Sequence, residues 1–431
     1  MRRFLTMALV LLIYVPVTAE DRLEFESYFT GKSLRIDLFH SGTADMEVYS
    51  LDRLIEEPCW GGNPRSLIDD MNLGSHMVRV FDLETNRLIY SRGYCSIFGE
   101  WVTTGEAEDG FARTFHESVI LPFPKKPVQV RIDRRDRENI FRNVFDLVVD
   151  PSDYHIDTSS SYRHFRVREL DYNGPPGSKV DIVIIGDGYR KDQAHKLRKD
   201  AKRLLKVFFD TEPFKSRKSD FNVRLIEALS EDMGVDDPRK GEYVSNLLGL
   251  SFNTFDIDRY VITTSNRVLR DVASAVPYDQ IIILANSEKY GGGGIYNLYS
   301  TCISDNEFDG YVFVHEFGHA FGGLADEYYS SSIAYNDMYP KGVEPWEPNI
   351  TALLDTTNVK WGDLIADGVP VPTPADSALY TGVVGCFEGA GYSAKGLYRS
   401  YLDCRMFSKS LVDFCPVCRK AIERMIDFHT K

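Results

Sequence analysis

Hydrophobic residues change their spacing partway along this chain, and the change divides it into two architectures. From residue 20 to about 160, apolar and polar residues alternate in short runs. Ser33-Leu34-Arg35-Ile36-Asp37-Leu38-Phe39, Met77-Val78-Arg79-Val80-Phe81 and Val128-Gln129-Val130-Arg131-Ile132 are three of them. A period of two marks half-buried strands, and clusters such as Gly61-Gly62-Asn63-Pro64 supply turns, with no long helical pattern between. An all-β sandwich is expected there. A Ser-rich stretch, Asp157 to Tyr162, reads as a linker, and Gly174-Pro175-Pro176-Gly177 is a second breaker. Val180-Asp181-Ile182-Val183-Ile184-Ile185 then reads as a near-continuous apolar strand, the kind buried on both faces. Asp187-Gly188 turns it into a helix over about Lys191 to Phe209. A strand at Phe221 to Leu229, a helix around Arg267 to Ala275 and a strand at Gln280 to Ala285 follow. This order predicts a multidomain protein, with an α/β (α+β) domain after the sandwich. At 431 residues and 43% hydrophobic content, the chain has enough apolar material for such cores.

The second part carries His315-Glu316-Phe317-Gly318-His319, led in by Tyr311-Val312-Phe313-Val314 and stopped by Gly322-Gly323. A helix is the natural reading, with Asp309 available as its cap. Four residues advance a helix slightly more than one turn, so His315 and His319 project from one face. Two imidazole nitrogens at about 2.0–2.1 Å from a zinc ion need that arrangement. Glu316 sits a step around the helix, where its carboxylate reaches a metal-bound water rather than the metal, as a general base. A catalytic zinc commonly takes three protein ligands and keeps one position open. Asp326 lies seven residues beyond His319 and is the favoured third ligand; Glu327 competes, and His429 lies near the chain end. The acidic pair also reads as solvated surface or as an orienting partner for a ligand histidine.

Before the metal motif, Gly291-Gly292-Gly293-Gly294 is followed by neither Lys-Ser/Thr nor a helix, which excludes a phosphate-binding loop. It reads as a flexible hinge entering an exposed edge strand able to pair with an extended peptide, or as a plain surface loop.

Residues 1–19 have the form of an export signal. Arg2 and Arg3 are basic, Phe4 to Val15 are apolar, and Val17-Thr18-Ala19 ends with small residues where a signal peptidase reads. About a dozen apolar residues fall short of the ~20 that span a bilayer, so cleavage rather than anchoring is expected. The mature protein is then expected to be secreted, periplasmic or on the cell surface, without stable membrane insertion. A net charge of −14, from 64 acidic and 50 basic residues, argues against nucleic-acid binding. Seven cysteines in an exported chain favour disulfides, with an odd thiol left over; Cys415-Pro416-Val417-Cys418 also reads as half of a zinc knot.

The HExxHxxxGxxDEY run from His315 to Tyr328 resembles the metzincin metallopeptidases, specifically the bacterial IgA peptidase family (igalysins). Val180 to Tyr189, ending Gly186-Asp187-Gly188-Tyr189, looks like the opening strand of that catalytic domain. Phe115 to Pro127, with Leu121-Pro122-Phe123-Pro124, looks like the family's amino-terminal β domain. The resemblance covers nearly all of the mature chain. It implies zinc ligation by His315, His319 and Asp326, Glu316 as general base, and a methionine beneath the metal, for which Cys404-Arg405-Met406 fits. Ordinary core packing is the other reading of Met406. Two departures stand out. The more general metzincin pattern has its third ligand six residues after the second histidine, where this chain has Ala325. Some metzincins carry a tyrosine just after the methionine; Phe407 follows here, while Tyr398 and Tyr401 precede it.

The expected organisation is a signal peptide over 1–19, a β-sandwich over 20–160 and a zinc metallopeptidase domain over 161–431. The expected activity is endopeptidase cleavage of a protein or glycoprotein by one Zn2+ ion, in a monomer. The alternative is a glycan- or protein-binding surface protein with a degenerate metal site, against which the intact Glu316 weighs. Zinc-dependent hydrolysis of another amide is a third reading.

Overall fold

Alternation in the first half builds two sheets with one core between them. The computed structural model describes residues 23–159, 165–330, 338–410 and 412–431. The export signal and part of the Asp157–Tyr162 linker lie outside the described residues. Strands β1 (Phe29–Gly42), β2 (Glu47–Glu57), β3 (His76–Asp82), β4 (Leu88–Tyr94), β5 (Arg113–Pro124), β6 (Val128–Arg135), β7 (Phe141–Val149) and β8 (Ile156–Asp157) form sheets ordered β5-β1-β2-β8 and β4-β3-β6-β7. Leu34, Ile36 and Leu38 from β1, Val119 and Leu121 from β5, Val78 and Val80 from β3, and Val130 and Ile132 from β6 meet between the sheets.

The other face of β1 is not the wet face that its alternation predicts. Arg35 is 1% exposed and pairs with Asp37, Glu57 and Asp271, and Asp271 sits on the Asn266–Ala273 helix of the second half. A polar period-two face therefore docks one half on the other through a buried ionic network, satisfied on several sides as burial requires. Nor is the first half purely strands. Ser96 accepts the Gly99 N–H at 3.0 Å and caps a short helix, Ile97–Trp101. Phe98 and Trp101 of this helix pack, with Phe115, into the second half's core.

The second half is built on a six-stranded sheet. Strands β9 (Arg166–Asp171), β10 (Val180–Asp187), β11 (Phe221–Glu227), β12 (Gln280–Ala285), β13 (Gly292–Ile295) and β14 (Tyr299–Ile303) are ordered β13-β14-β12-β10-β11-β9. The four inner strands are parallel and the two edges antiparallel. Every residue of β10 is buried, which explains its continuous apolar run; its one interior acid, Asp181, pairs with Arg224 on β11. One face carries the Ala194–Asp210, Asp309–Gly322 and Pro416–Thr430 helices, with Phe208, Phe214, Phe317 and Phe321 stacked edge to face and ring to ring. Among the described residues no helix is long and apolar enough to cross a membrane.

Asp187 ends β10 and ties down the long excursion that follows β11. Its carboxylate accepts the N–H groups of Leu247, Leu248 and Leu250 at 2.9–3.1 Å and the Ser230 hydroxyl at 3.1 Å. Burial pushes this carboxyl up, and the donors hold it back. Asp187→Ala strands the buried Leu248 and Leu250 N–H groups, while Leu247 N–H keeps the Ser230 hydroxyl at 3.0 Å, and is expected to cost about 3 kcal/mol, read as a lower urea midpoint at unchanged m-value.

Candidate metal centre

The helix Asp309–Gly322 forms because its inward residues are a continuous apolar set, Tyr311 to Val314 with Phe317, Ala320 and Phe321. Asp309 does not cap it. Phe308 holds the cap position, and Asp309 enters the first turn, where its carboxylate pairs with Arg203. The C-terminal end is set by Gly323, at φ 61°, a left-handed conformation that other residues adopt at a cost.

That reversal returns the chain to the histidines. His315 Nε2 and His319 Nε2 lie 3.2 Å apart, and Asp326 Oδ1 is 3.1 Å from the first and 3.3 Å from the second. Three donors held tetrahedrally at zinc's ordinary 2.0–2.1 Å stand about 3.3 Å from one another. The observed triangle has that size. Asp326 Oδ1 is buried and makes no hydrogen bond, so a lone pair is left for a cation. The donor set therefore fits a small divalent metal.

The surrounding groups fix which nitrogens face inward. His319 Nδ1 donates to the Leu324 carbonyl at 2.6 Å, and His315 Nδ1 to the Arg405 carbonyl at 3.0 Å. Each Nε2 is thereby the nitrogen turned toward the metal position, where a cation would replace the proton it otherwise carries. Tyr311 Oη lies 3.1 Å from His315 Nδ1. Tyr392 Oη donates a short hydrogen bond to Asp326 Oδ2. Burial opposes charge on His319, but Asp326 and Glu316 outweigh it and push the imidazole up to about 9. Burial likewise opposes ionisation of Asp326, and the two imidazoles, His319 first, hold it well below the usual carboxylate range.

Glu316 lines the same cleft, partly exposed, with a carboxylate oxygen within 4.8 Å of the imidazole nitrogens. Burial raises its carboxyl, and the imidazoles of His315 and His319 moderate the rise. Glu327 does not join them; its Oε1 meets Asn349 Nδ2 at 3.1 Å and Cys418 Sγ at 3.2 Å. His429 pairs with Asp279. Met406 is fully buried under the helix, with its sulfur 3.0 Å from where a side chain on Gly318 would begin, and its carbonyl accepts the Glu327 N–H at 2.9 Å.

The glycine run is packed rather than hinged. Gly292 to Ile295 form the edge strand β13, and a Cβ on Gly294 would stand 2.3 Å from the Glu316 carbonyl. Glycine is what lets this strand lie against the metal helix. The cleft encloses about 1060 Å³ and has walls from both halves, including Glu47, Arg134 and Arg135 from the sandwich.

Residues 168–382 and 375–426 match the family model described as IgA Peptidase M64, and residues 24–146 match that described as Peptidase M64 N-terminus. The chain belongs to the IgA peptidase M64 family. No curated protein matches it. Membership makes the chain a metallopeptidase acting on protein. In this M64 peptidase, Tyr398 and Tyr401 are absent from the cleft wall, whereas Tyr290, Tyr311, Tyr328 and Tyr392 line it. Tyr392 was invisible to sequence reasoning. It sits at φ 63° in the tight turn between β15 (Phe387–Ala390) and β16 (Ser393–Arg399), and only docking of that turn brings it to Asp326. The backbone contacts are Gly391 N–H to the Asp326 carbonyl and Tyr392 N–H to the Tyr328 carbonyl, both 3.0 Å.

Proposed function

We propose that this chain is an exported zinc endopeptidase in which His315, His319 and Asp326 hold the ion and Glu316 is the general base. The observation that carries the reading is the triangle of three donor atoms with edges of 3.1, 3.2 and 3.3 Å. Two imidazoles and one carboxylate are a donor set that suits zinc. When bound, the ion supplies Lewis acidity to a peptide carbonyl and to water. Glu316 takes a proton from the attacking water at its carboxylate and delivers it to the departing amide nitrogen. A carboxyl raised by burial is better matched to both halves of that shuttle near neutral pH. Tyr392 and the Leu324 and Arg405 carbonyls hold the donors in place, so that little reorganisation accompanies reaction.

The outer edge of β13 is taken at Gly292 by backbone bonds to Arg259 and Val261, so the exposed edge expected for pairing with an extended peptide is closed there. Export, to the periplasm, the cell surface or the medium, goes with cleavage after Ala19, the last of the small residues that follow the apolar stretch. A quenched-fluorescent peptide library tests the reading. Internal cleavage is expected, abolished by a zinc chelator and restored by zinc. A protein that keeps its zinc, leaves every peptide intact and binds glycan or protein instead would replace this reading with that of a binding module.

A further inference from the structure

Glu327 follows Asp326 directly, yet its carboxylate enters a pocket of sulfur. The Sγ atoms of Cys404, Cys415 and Cys418 and a Glu327 oxygen all lie within 4.8 Å of one another. Glu327 Oε1 is 3.2 Å from Cys418 Sγ and 4.0 Å from Cys415 Sγ, and Cys404 Sγ is 3.8 Å from Cys418 Sγ. All four residues are buried. The sulfurs are unbonded, where the sequence favours disulfides, and 3.8 Å is far beyond the ~2.05 Å of an S–S bond.

Hydrogen bonding accounts for only part of this carboxylate. Asn349 donates to Oε1, while Oε2 is buried with no partner, and among the described residues no lysine or arginine forms an ion pair with Glu327. An unpaired carboxylate in such a place is strongly disfavoured unless a cation joins it. The sulfurs are likewise arranged to carry negative charge. Cys415 caps the Pro416–Thr430 helix and its Sγ accepts the Cys418 N–H at 3.5 Å, while Cys404 Sγ accepts the Cys415 N–H at 3.2 Å. Helix N-terminal N–H groups favour thiolate.

We propose that Cys404, Cys415, Cys418 and Glu327 form a second metal site holding one structural zinc ion. Two thiolates bound tetrahedrally at about 2.3 Å stand about 3.8 Å apart, the separation of Cys404 and Cys418. Thiolates select zinc over the hard divalent cations, and four protein donors leave no position for substrate, so this ion is structural. It shares no donor with the imidazole centre, and the inference stands independently of the peptidase chemistry. Its place in the fold gives it a purpose. Glu327 is joined to Asp326, and Cys404 lies two residues before Met406. The ion clips both segments to the last helix and so holds the third donor and the methionine turn beneath His315 and His319.

Zinc is to be counted by mass spectrometry in the full mature chain, in His315→Ala/His319→Ala and in Cys415→Ser/Cys418→Ser. About two ions per chain are expected in the first and one in each variant. X-ray absorption on the histidine variant is expected to give sulfur scatterers near ~2.3 Å. The histidine variant decides the matter whether or not the cysteine variant folds. A folded histidine variant with no zinc, a coordination shell without sulfur, or a disulfide joining any two of the three cysteines in peptide mapping would overturn the proposal.

Discussion

Glu316→Gln is expected to lower kcat/KM on a cleavable peptide by about a thousandfold, within the 10²–10⁴ range that a positioned general base contributes. The substitution keeps the shape of the side chain and removes its ability to take a proton. The Glu316 backbone carbonyl packs against Gly294, so a residue of equal size leaves β13 undisturbed. The side chain makes no hydrogen bond to His315 or His319, whose Nδ1 atoms are engaged by the carbonyls of Arg405 and Leu324. Zinc content and KM are therefore expected to stay near wild type while kcat falls. Single-turnover kinetics with parallel zinc measurement separate the two. Loss of zinc together with activity would mean that Glu316 holds the ion rather than moves a proton, and a wild-type kcat would remove it from the chemistry.

What the sequence made legible was local and periodic. The metal helix follows from an apolar lead-in, histidines one turn apart and a terminating glycine pair, all within fourteen residues. The buried strand β10 and the strand β12 follow equally from near-continuous apolar runs. What stayed hidden depended on partners distant along the chain. Ligand chemistry and position favour Asp326 over Glu327 as third donor, but nothing in the sequence says where Glu327 goes. The structure separates them because Asn349, Cys415 and Cys418 collect one side chain and the imidazoles the other. Tyr392 reaches Asp326 across 66 residues, through a turn that no spacing rule announces. Alternation along β1 likewise reveals two environments without saying that the polar one is an ionic interface rather than water. The glycine run was misleading for the opposite reason. Flexibility is the property of glycine in isolation, whereas at Gly294 its small size is what matters, because a helix backbone lies against it.

The second large effect is expected at Asp326. Asp326→Ala removes one of three donors and leaves two imidazoles facing each other with no carboxylate between them, so peptide hydrolysis is expected to fall to background, by at least about a thousandfold. The expectation rests on the metal chemistry of a three-ligand site, where loss of a direct ligand exceeds the 10–100-fold that follows from disturbing an orienting partner. Tyr392→Phe supplies that comparison. Its hydroxyl touches Asp326 Oδ2, so its removal loosens a carboxylate that Tyr328 also holds, without taking it away. Zinc affinity in this variant is expected to fall 10–100-fold, with activity restored by excess zinc; in Asp326→Ala, excess zinc is expected to restore little. Titration of zinc against a competing chelator, with activity followed in the same samples, measures both. Equal losses in the two variants would assign Tyr392 a direct part in the reaction, and a fully active Asp326→Ala would show that the third donor lies elsewhere. The ordering matters because it separates a carboxylate that binds the ion from one that only steadies a histidine, a distinction that the neighbouring Asp326-Glu327 pair otherwise leaves to geometry alone.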